Sequence, residues 1–360
     1  MKKIIALFLA LLTVFSLLAC SSTEYEAQPS TEEESRVVYT LTVGNKSYDV
    51  RYELYRALFL SYRDEVTGGD EGAFSGDDAE YYKNRINALV LDRIASIYAV
   101  FAVCKDIGYD LYSSEVDRRV NEYIKDSIEG EGGYGSYEAY LDALAKMNLN
   151  WSCQDLLLRY GIGLAAIDEY YVGDFDADNI GDTVNVGKLK YSREDVLNYY
   201  NSDACVRVLR AHIQAKAHYD PDEYAERVRE NMLAAGSESA VAAVIINTGL
   251  TAPTEVMNGY VMGRHNLDNL YYGELTEAAF ELRVGEVSPA VRVHNGEDDI
   301  IFILYRGEKS EEHFNKCYSE IAYVYLTDTV GAKIDEAAEG LKSEVRYTDV
   351  YNTLDLSLVK

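Results

Sequence analysis

Val206-Arg207-Val208-Leu209-Arg210-Ala211-His212-Ile213-Gln214-Ala215 alternates apolar and polar side chains, the period of a half-buried β-strand. Leu209, Ala211, Ile213 and Ala215 share one face; Val208, Arg210, His212 and Gln214 share the other. A helix follows over roughly Pro221 to Ala235, and a second, shorter one near Glu238 to Ile246. After a Gly-containing stretch come a helical Glu277-Ala278-Ala279-Phe280-Glu281-Leu282, then Val284-Gly285-Glu286-Val287-Ser288, then an apolar strand, Ile300-Ile301-Phe302-Ile303-Leu304. A strand, helices, a further helix and a strand within about 100 residues describe a compact α/β unit.

Upstream the texture is different. Val37 to Val43 and Ser47 to Val50 are β-prone runs around Gly44-Asn45-Lys46, which predicts a hairpin. From about 51 to 172 the pattern is helical: Ile86, Leu89, Val90, Leu91, Ile94, Ile97 and Tyr98 recur at spacings of three and four. Ser113 or Ser114 is placed to cap a helix bearing Val116, Val120 and Ile124, and Trp151 to Ile167 forms another. Ser192 with Asp195 forms a capping box ahead of Val196, Leu197 and Tyr200. Beyond 310 the chain is helical again, and Val345 to Leu356 alternates weakly. The fold class is α+β: a helical region over 36–204 completed by 310–360, and an α/β unit with a small antiparallel sheet over 205–309.

Composition narrows the function. Sixty-one Asp and Glu against 34 Lys and Arg give the 360 residues a net charge of −27, which argues against nucleic acid as a partner. Thirty-two tyrosines are read as lining cores and grooves, where a ring buries area while its hydroxyl reaches water. Five histidines constrain any mechanism that needs several.

At the start, Lys2 and Lys3 precede an apolar run from Ile4 to Leu18 that meets Leu17-Leu18-Ala19-Cys20. That pattern describes an export signal, 1–19, and the tetrapeptide resembles a bacterial lipobox, in which Cys20 becomes the acylated first residue. The expected location is extracytoplasmic and lipid-anchored, with the membrane as one partner through the acyl chains. Residues 20–35, polar and acidic, read as a flexible tether. Loss of Lys2 and Lys3 would take −27 to −29. Cys104, Cys153, Cys205 and Cys317 show no CxxC or metal spacing and are read as buried free thiols.

Two motifs carry a family resemblance. Arg210-Ala211-His212-Ile213 is similar to the parvulin-type peptidyl-prolyl isomerase strand that ends in a histidine and an aliphatic residue. The run from Ala278 to Val291, Ala-Ala-Phe-Glu-Leu-Arg-Val-Gly-Glu-Val-Ser-Pro-Ala-Val, is similar to that family's "aaF-x-L-x-x-Ge-s-x-pV". With helical flanks on both sides the arrangement resembles the PrsA and SurA foldases, and the lipid anchor brings it nearer to PrsA. The resemblance implies prolyl isomerase activity, no cofactor and no metal, and unfolded or nascent exported polypeptides as partners, with a homodimer left open. It assigns His212 as catalytic and places Asp298 or Asp299 where the family has its second histidine; Asp299 is taken as its substitute. Asn258-Gly259-Tyr260-Val261-Met262-Gly263 stands for the glycine-rich segment, with Met262 in place of a pocket leucine. Leu270 or Tyr271 and Leu275 fall near the other pocket positions, Tyr271 being the one taken, and Phe280 completes the substrate-binding set. Asn247 or Thr248 is nearest to the family's further polar residue. His218, His265, His294 and His313 match no position and are read as surface residues.

Three other readings stand beside this. A holdase or assembly chaperone would use the parvulin shape for binding without catalysis. A lipid-anchored solute-binding protein would need two similar α/β lobes, where the sequence offers one. Asp174, Asp176 and Asp178 alternate as at the start of an EF-hand, but Asn179 and Asn185 replace the required Gly and Glu, so a solvated acidic loop is the reading.

Overall fold

A computed structural model describes residues 25, 28–70, 72–75, 77–173, 175, 183–249, 251–265, 269–295 and 298–354. The export segment, Cys20, and Asp174, Asp176 and Asp178 lie outside the described residues. The chain divides into two compact units, one of residues 1–167 with 333–360 and one of residues 168–332.

The first unit opens with the hairpin β1 (Val37–Val43) and β2 (Lys46–Arg51), paired antiparallel. Gly44 turns it at φ 58°, a left-handed conformation that glycine enters without a Cβ penalty. Helices α1 (Tyr52–Thr67), α2 (Ala79–Asp106), α3 (Ser114–Glu129), α4 (Tyr137–Lys146) and α5 (Trp151–Tyr171) follow. Of the two candidate serines, Ser113 is the cap, accepting from the Val116 N–H at 3.4 Å, and Ser114 is the first helical residue. Helix α2 is apolar enough over 18 residues to resemble a membrane span. Its apolar residues are buried within this unit: Ile86, Val90, Ile94, Ile97 and Val100 are all at 0% exposure.

Where the sequence suggests a flexible tether, the described residues from Ser30 onward are fastened to this unit. Buried Glu53 needs donors to offset its lost hydration. It accepts from the Ser30 hydroxyl, the Ser152 hydroxyl (2.7 Å) and the Asn150 amide (2.7 Å). The Ser35 N–H closes a turn on the Thr31 carbonyl at 3.0 Å.

The second unit contains the hairpin β3 (Thr183–Val186) and β4 (Leu189–Ser192), then α6 (Arg193–Asn201) and β5 (Cys205–Gln214). Next come α7 (Pro221–Ala234), α8 (Glu238–Ile246), α9 (Pro253–Asn258), β6 (Tyr260–Gly263), α10 (Asn269–Glu281), β7 (Val291–Asn295), β8 (Asp298–Arg306) and α11 (Glu311–Lys316). Helix α12 (Tyr318–Ser343) then runs out of this unit into residues of the first. The Ser192–Asp195 capping box forms as its spacing predicts. Strand β5 stops at Gln214, and Ala215 begins a 3₁₀ turn instead of closing the strand.

The chain ends with β9 (Val345–Tyr347) and α13 (Asp349–Thr353). Strand β9 adds to β1, so the first unit has a three-stranded sheet in the order β2-β1-β9. Tyr39, Tyr347 and Tyr351 cluster there with ring centroids 4.4 to 6.3 Å apart. Tyr39 is core there, Tyr351 half-buried and Tyr347 48% exposed, so the cluster runs from core to surface.

Residues 168–204 and 310–332 belong with the central sheet, whereas composition places the divisions at 204/205 and 309/310. Packing gives the reason. Tyr200 of α6 stacks on His313 and meets Phe314 at a tilt, and Tyr199 and Tyr191 meet Tyr325 of α12. The two units are also unlike: one is helical around a three-stranded sheet, the other carries a four-stranded one. Among the described residues the chain does not form the two similar lobes that a solute-binding protein requires.

Candidate functional site

The four-stranded sheet of the second unit has the order β6-β5-β8-β7 with every pairing antiparallel. Alternation along its two central strands decides what each face does. Leu209, Ala211 and Ile213 of β5 join Ile301 and Ile303 of β8 beneath Ala225, Val228, Val241, Ala242, Ile245 and Val256 of α7, α8 and α9. On the opposite face, Val206 and Val208 join Ile300, Phe302 and Leu304 beneath Leu275 and Ala279 of α10. His212 and Arg210 share that second face.

The register sets His212 opposite Phe302, and their rings lie 5.3 Å apart at 34°. The Arg210 guanidinium lies 3.9 Å from the Tyr260 ring centroid and 5.4 Å from that of Phe302. His212 is half-buried, and its Nε2 is enclosed without a hydrogen-bond partner. Burial, then the Arg210 charge, hold its pKa below the ordinary histidine value. The ring is therefore neutral at pH 7, with one nitrogen able to donate and the other to accept.

Met262 on β6 and Phe280 on α10 are half-buried and pack on the same α10 face. Arg264 stands over the Phe280 ring at 4.3 Å. Leu275 is 1% exposed, so it backs the surface from the core and does not line an open pocket. The Tyr271 side chain lies outside the described residues. The glycine-rich segment keeps two glycines for steric reasons. A Cβ on Gly259, at φ 72°, would meet the Val208 carbonyl at 2.9 Å, and one on Gly263 would collide with the Asp328 carboxylate and the Tyr199 hydroxyl.

Asp299 is not brought to His212. It stands three residues before Phe302, an odd number, and so projects from the opposite face of β8. There Arg292 holds it at 2.8 Å and also bonds Asp222 of α7 at 2.6 Å. Asn247 and Thr248 likewise fall on the α7–α8 side, along a groove of about 470 Å³ with Tyr224 and Asn231. A polar partner for His212 from any of these three would have to cross the sheet.

The other histidines are not all surface residues. His313 is buried, with its Nδ1 2.8 Å from the Tyr200 hydroxyl. Burial and the nearby Arg207 charge push its pKa down to about 4. His218 stacks on Tyr224 at 3.8 Å. The His265 N–H donates to Asp328, and Gly331 faces the His265 backbone so closely that a Cβ there would overlap it. Sequence offered one weak signal for His313: it lies three residues after the helix cap Ser310 and next to an apolar phenylalanine.

Nucleophilic chemistry is poorly served. Cys104, Cys153, Cys205 and Cys317 are buried and free, and burial pushes the Cys205 thiol up to about 11 and those of Cys104 and Cys153 to about 12. Among the described residues, no group of three or more His, Cys, Asp or Glu is arranged to hold a metal ion. What the α10 face offers is an apolar and aromatic surface beside one neutral imidazole.

No protein-family model matches the chain, and no curated protein sequence matches it. Solved structures of foldases are similar to it. Foldase protein PrsA from Streptococcus pneumoniae is 13% identical with a TM-score of 0.29, over 78% of this chain and 96% of that one. Foldase protein (PrsA) from Lactococcus lactis is 15% identical with a TM-score of 0.23, over 88% of this chain and 96% of that one. PrsA from Bacillus subtilis is 18% identical with a TM-score of 0.23, over 76% of this chain and 93% of that one.

Proposed function

We propose that this protein is an extracytoplasmic foldase, held to the membrane through Cys20, that binds unfolded exported polypeptides and accelerates prolyl isomerisation at the α10 face of its sheet. Rotation about an X–Pro bond is slow because the amide has partial double-bond character, a barrier of about 18–20 kcal/mol. Lowering it takes an apolar seat for the proline ring and a site that favours the twisted amide over the planar one. It requires no nucleophile and no cofactor. The observation that carries the reading is His212 at mid-sheet, neutral, with Nε2 unpartnered and its ring against Phe302 on the face that also bears Met262 and Phe280. His212 would orient the peptide, while Met262, Phe280 and Tyr271 would contact the proline.

One observation favours a second reading, a holdase without catalysis. Asp299, the counterpart of the family's second histidine, is tied to Arg292 on the opposite face. Refolding of a model protein limited by a prolyl bond, with and without catalytic amounts of the protein, separates the two. The foldase reading expects a faster slow phase that is lost in His212→Ala. If wild type and His212→Ala both leave the uncatalysed rate unchanged while suppressing aggregation, the holdase reading replaces it.

A further inference from the structure

A groove of about 700 Å³ opens at the β6 edge of the sheet, lined by Phe175, Arg210, Glu255, Tyr260, Glu320 and Tyr323, with smaller polar and apolar residues between them. That volume lies in the range of functional binding clefts. Strand β6 is an edge of its sheet, with β5 as its neighbour, the geometry against which an extended chain can lie. Glu320 and Tyr323 stand three residues apart on one face of α12. Phe175 packs on Tyr323 with centroids 5.6 Å apart, and Tyr323 remains 39% exposed.

The charges along this groove are unequal. Glu255 and Glu320 are exposed. Arg210, the cation among the lining residues, is turned onto the rings of Tyr260 and Phe302. A chain of net charge −27 deepens the negative potential there, and exposed tyrosine faces attract cations in addition. A second copy of this acidic chain would not supply the complement. Arg210 also joins the groove to the candidate site, because it covers the same Phe302 ring that His212 packs against.

We infer that this groove binds an extended, basic segment of an unfolded polypeptide, with Glu255 and Glu320 selecting Lys or Arg beside the proline and Tyr323 contacting the chain. The inference rests on the foldase reading and adds a substrate class to it. Fluorescence anisotropy with the full chain tests it, using two labelled unstructured peptides with a central proline, one flanked by lysines and the other by glutamates. The lysine peptide is expected to bind about fivefold tighter or more, by an amount that shrinks with added salt. E255Q/E320Q is expected to abolish the preference, and Tyr323→Ala to weaken both peptides. Both carboxylates are exposed, and circular dichroism checks that the variants remain folded. Equal affinities in the wild type, binding of neither peptide, or a preference that survives E255Q/E320Q overturns the inference. The assay reads binding without refolding. A protein that prefers lysine yet does not speed refolding would lose the foldase reading alone, and one that speeds refolding without preference would lose only the groove.

Discussion

The two faces of one four-stranded sheet differ in the polar side chains they carry: one is sealed with apolar residues, the other bears Arg210 and His212. Under α7, α8 and α9 the face is sealed: Leu209, Ala211, Ile213, Ile301 and Ile303 are each at 0–1% exposure. Under α10 strand β5 begins as core and ends half-buried, passing from Val206 and Val208 to Arg210 and His212, while β8 stays core with Ile300, Phe302 and Leu304. The strand period of two lets adjacent residues serve stability and recognition without competing. Ala211 and His212 are neighbours in sequence and stand on opposite faces of the sheet, one in the sealed core and the other on the face of the proposed client site.

Breaking the sealed face has the largest effect. Ile303→Ala leaves a cavity in a fully buried cluster, and we expect a loss of about 2–5 kcal/mol in denaturant unfolding, with an unchanged m-value. A smaller loss, about 1–3 kcal/mol, is expected for Gly263→Ala, which forces a methyl against Asp328 and Tyr199 at the end of β6.

Acid separates a buried histidine from the exposed face. The folded pKa of His313 lies at about 4, below its unfolded value near 6.5, so between these values the unfolded chain binds the additional proton. Stability supplied by neutral His313 is therefore present above about pH 6.5 and is lost as pH falls toward 4, with a slope of at most about 1.4 kcal/mol per pH unit. Thermal unfolding of wild type and His313→Phe from pH 7 to pH 4 checks this, the variant losing that part of the slope. The smallest effect is expected for Asp299→Asn, which weakens one half-exposed ion pair with Arg292 by about 1 kcal/mol or less. If the faces are independent, the same variant leaves proline-limited refolding at the wild-type rate.

The sequence was most legible where periodicity is strong. The β5 alternation, the Ser192–Asp195 capping box and the α8 bounds Glu238–Ile246 all appear as read. The placement of Asp299 opposite His212 shows where a motif misleads. Motif alignment matches positions along the chain, whereas an odd spacing from Phe302 sends the carboxylate through to the other face. Counting residues along β8 held that information. Burial of His313 and the groove bearing Glu320 and Tyr323 were not legible in the same way, because both depend on α6, α9 and α12, segments about 50 to 120 residues apart, meeting around the sheet.

Methionine supplies a direct reporter for the two faces. Met232 is 1% exposed on the sealed face, and Met262 is half-buried on the α10 face. With ¹³C-methyl-labelled methionine, titration with an unstructured proline-containing peptide should shift the Met262 methyl resonance and leave that of Met232 in place. A shift at Met232 with Met262 unmoved, or no shift at either, would contradict the assignment of the α10 face as the client site.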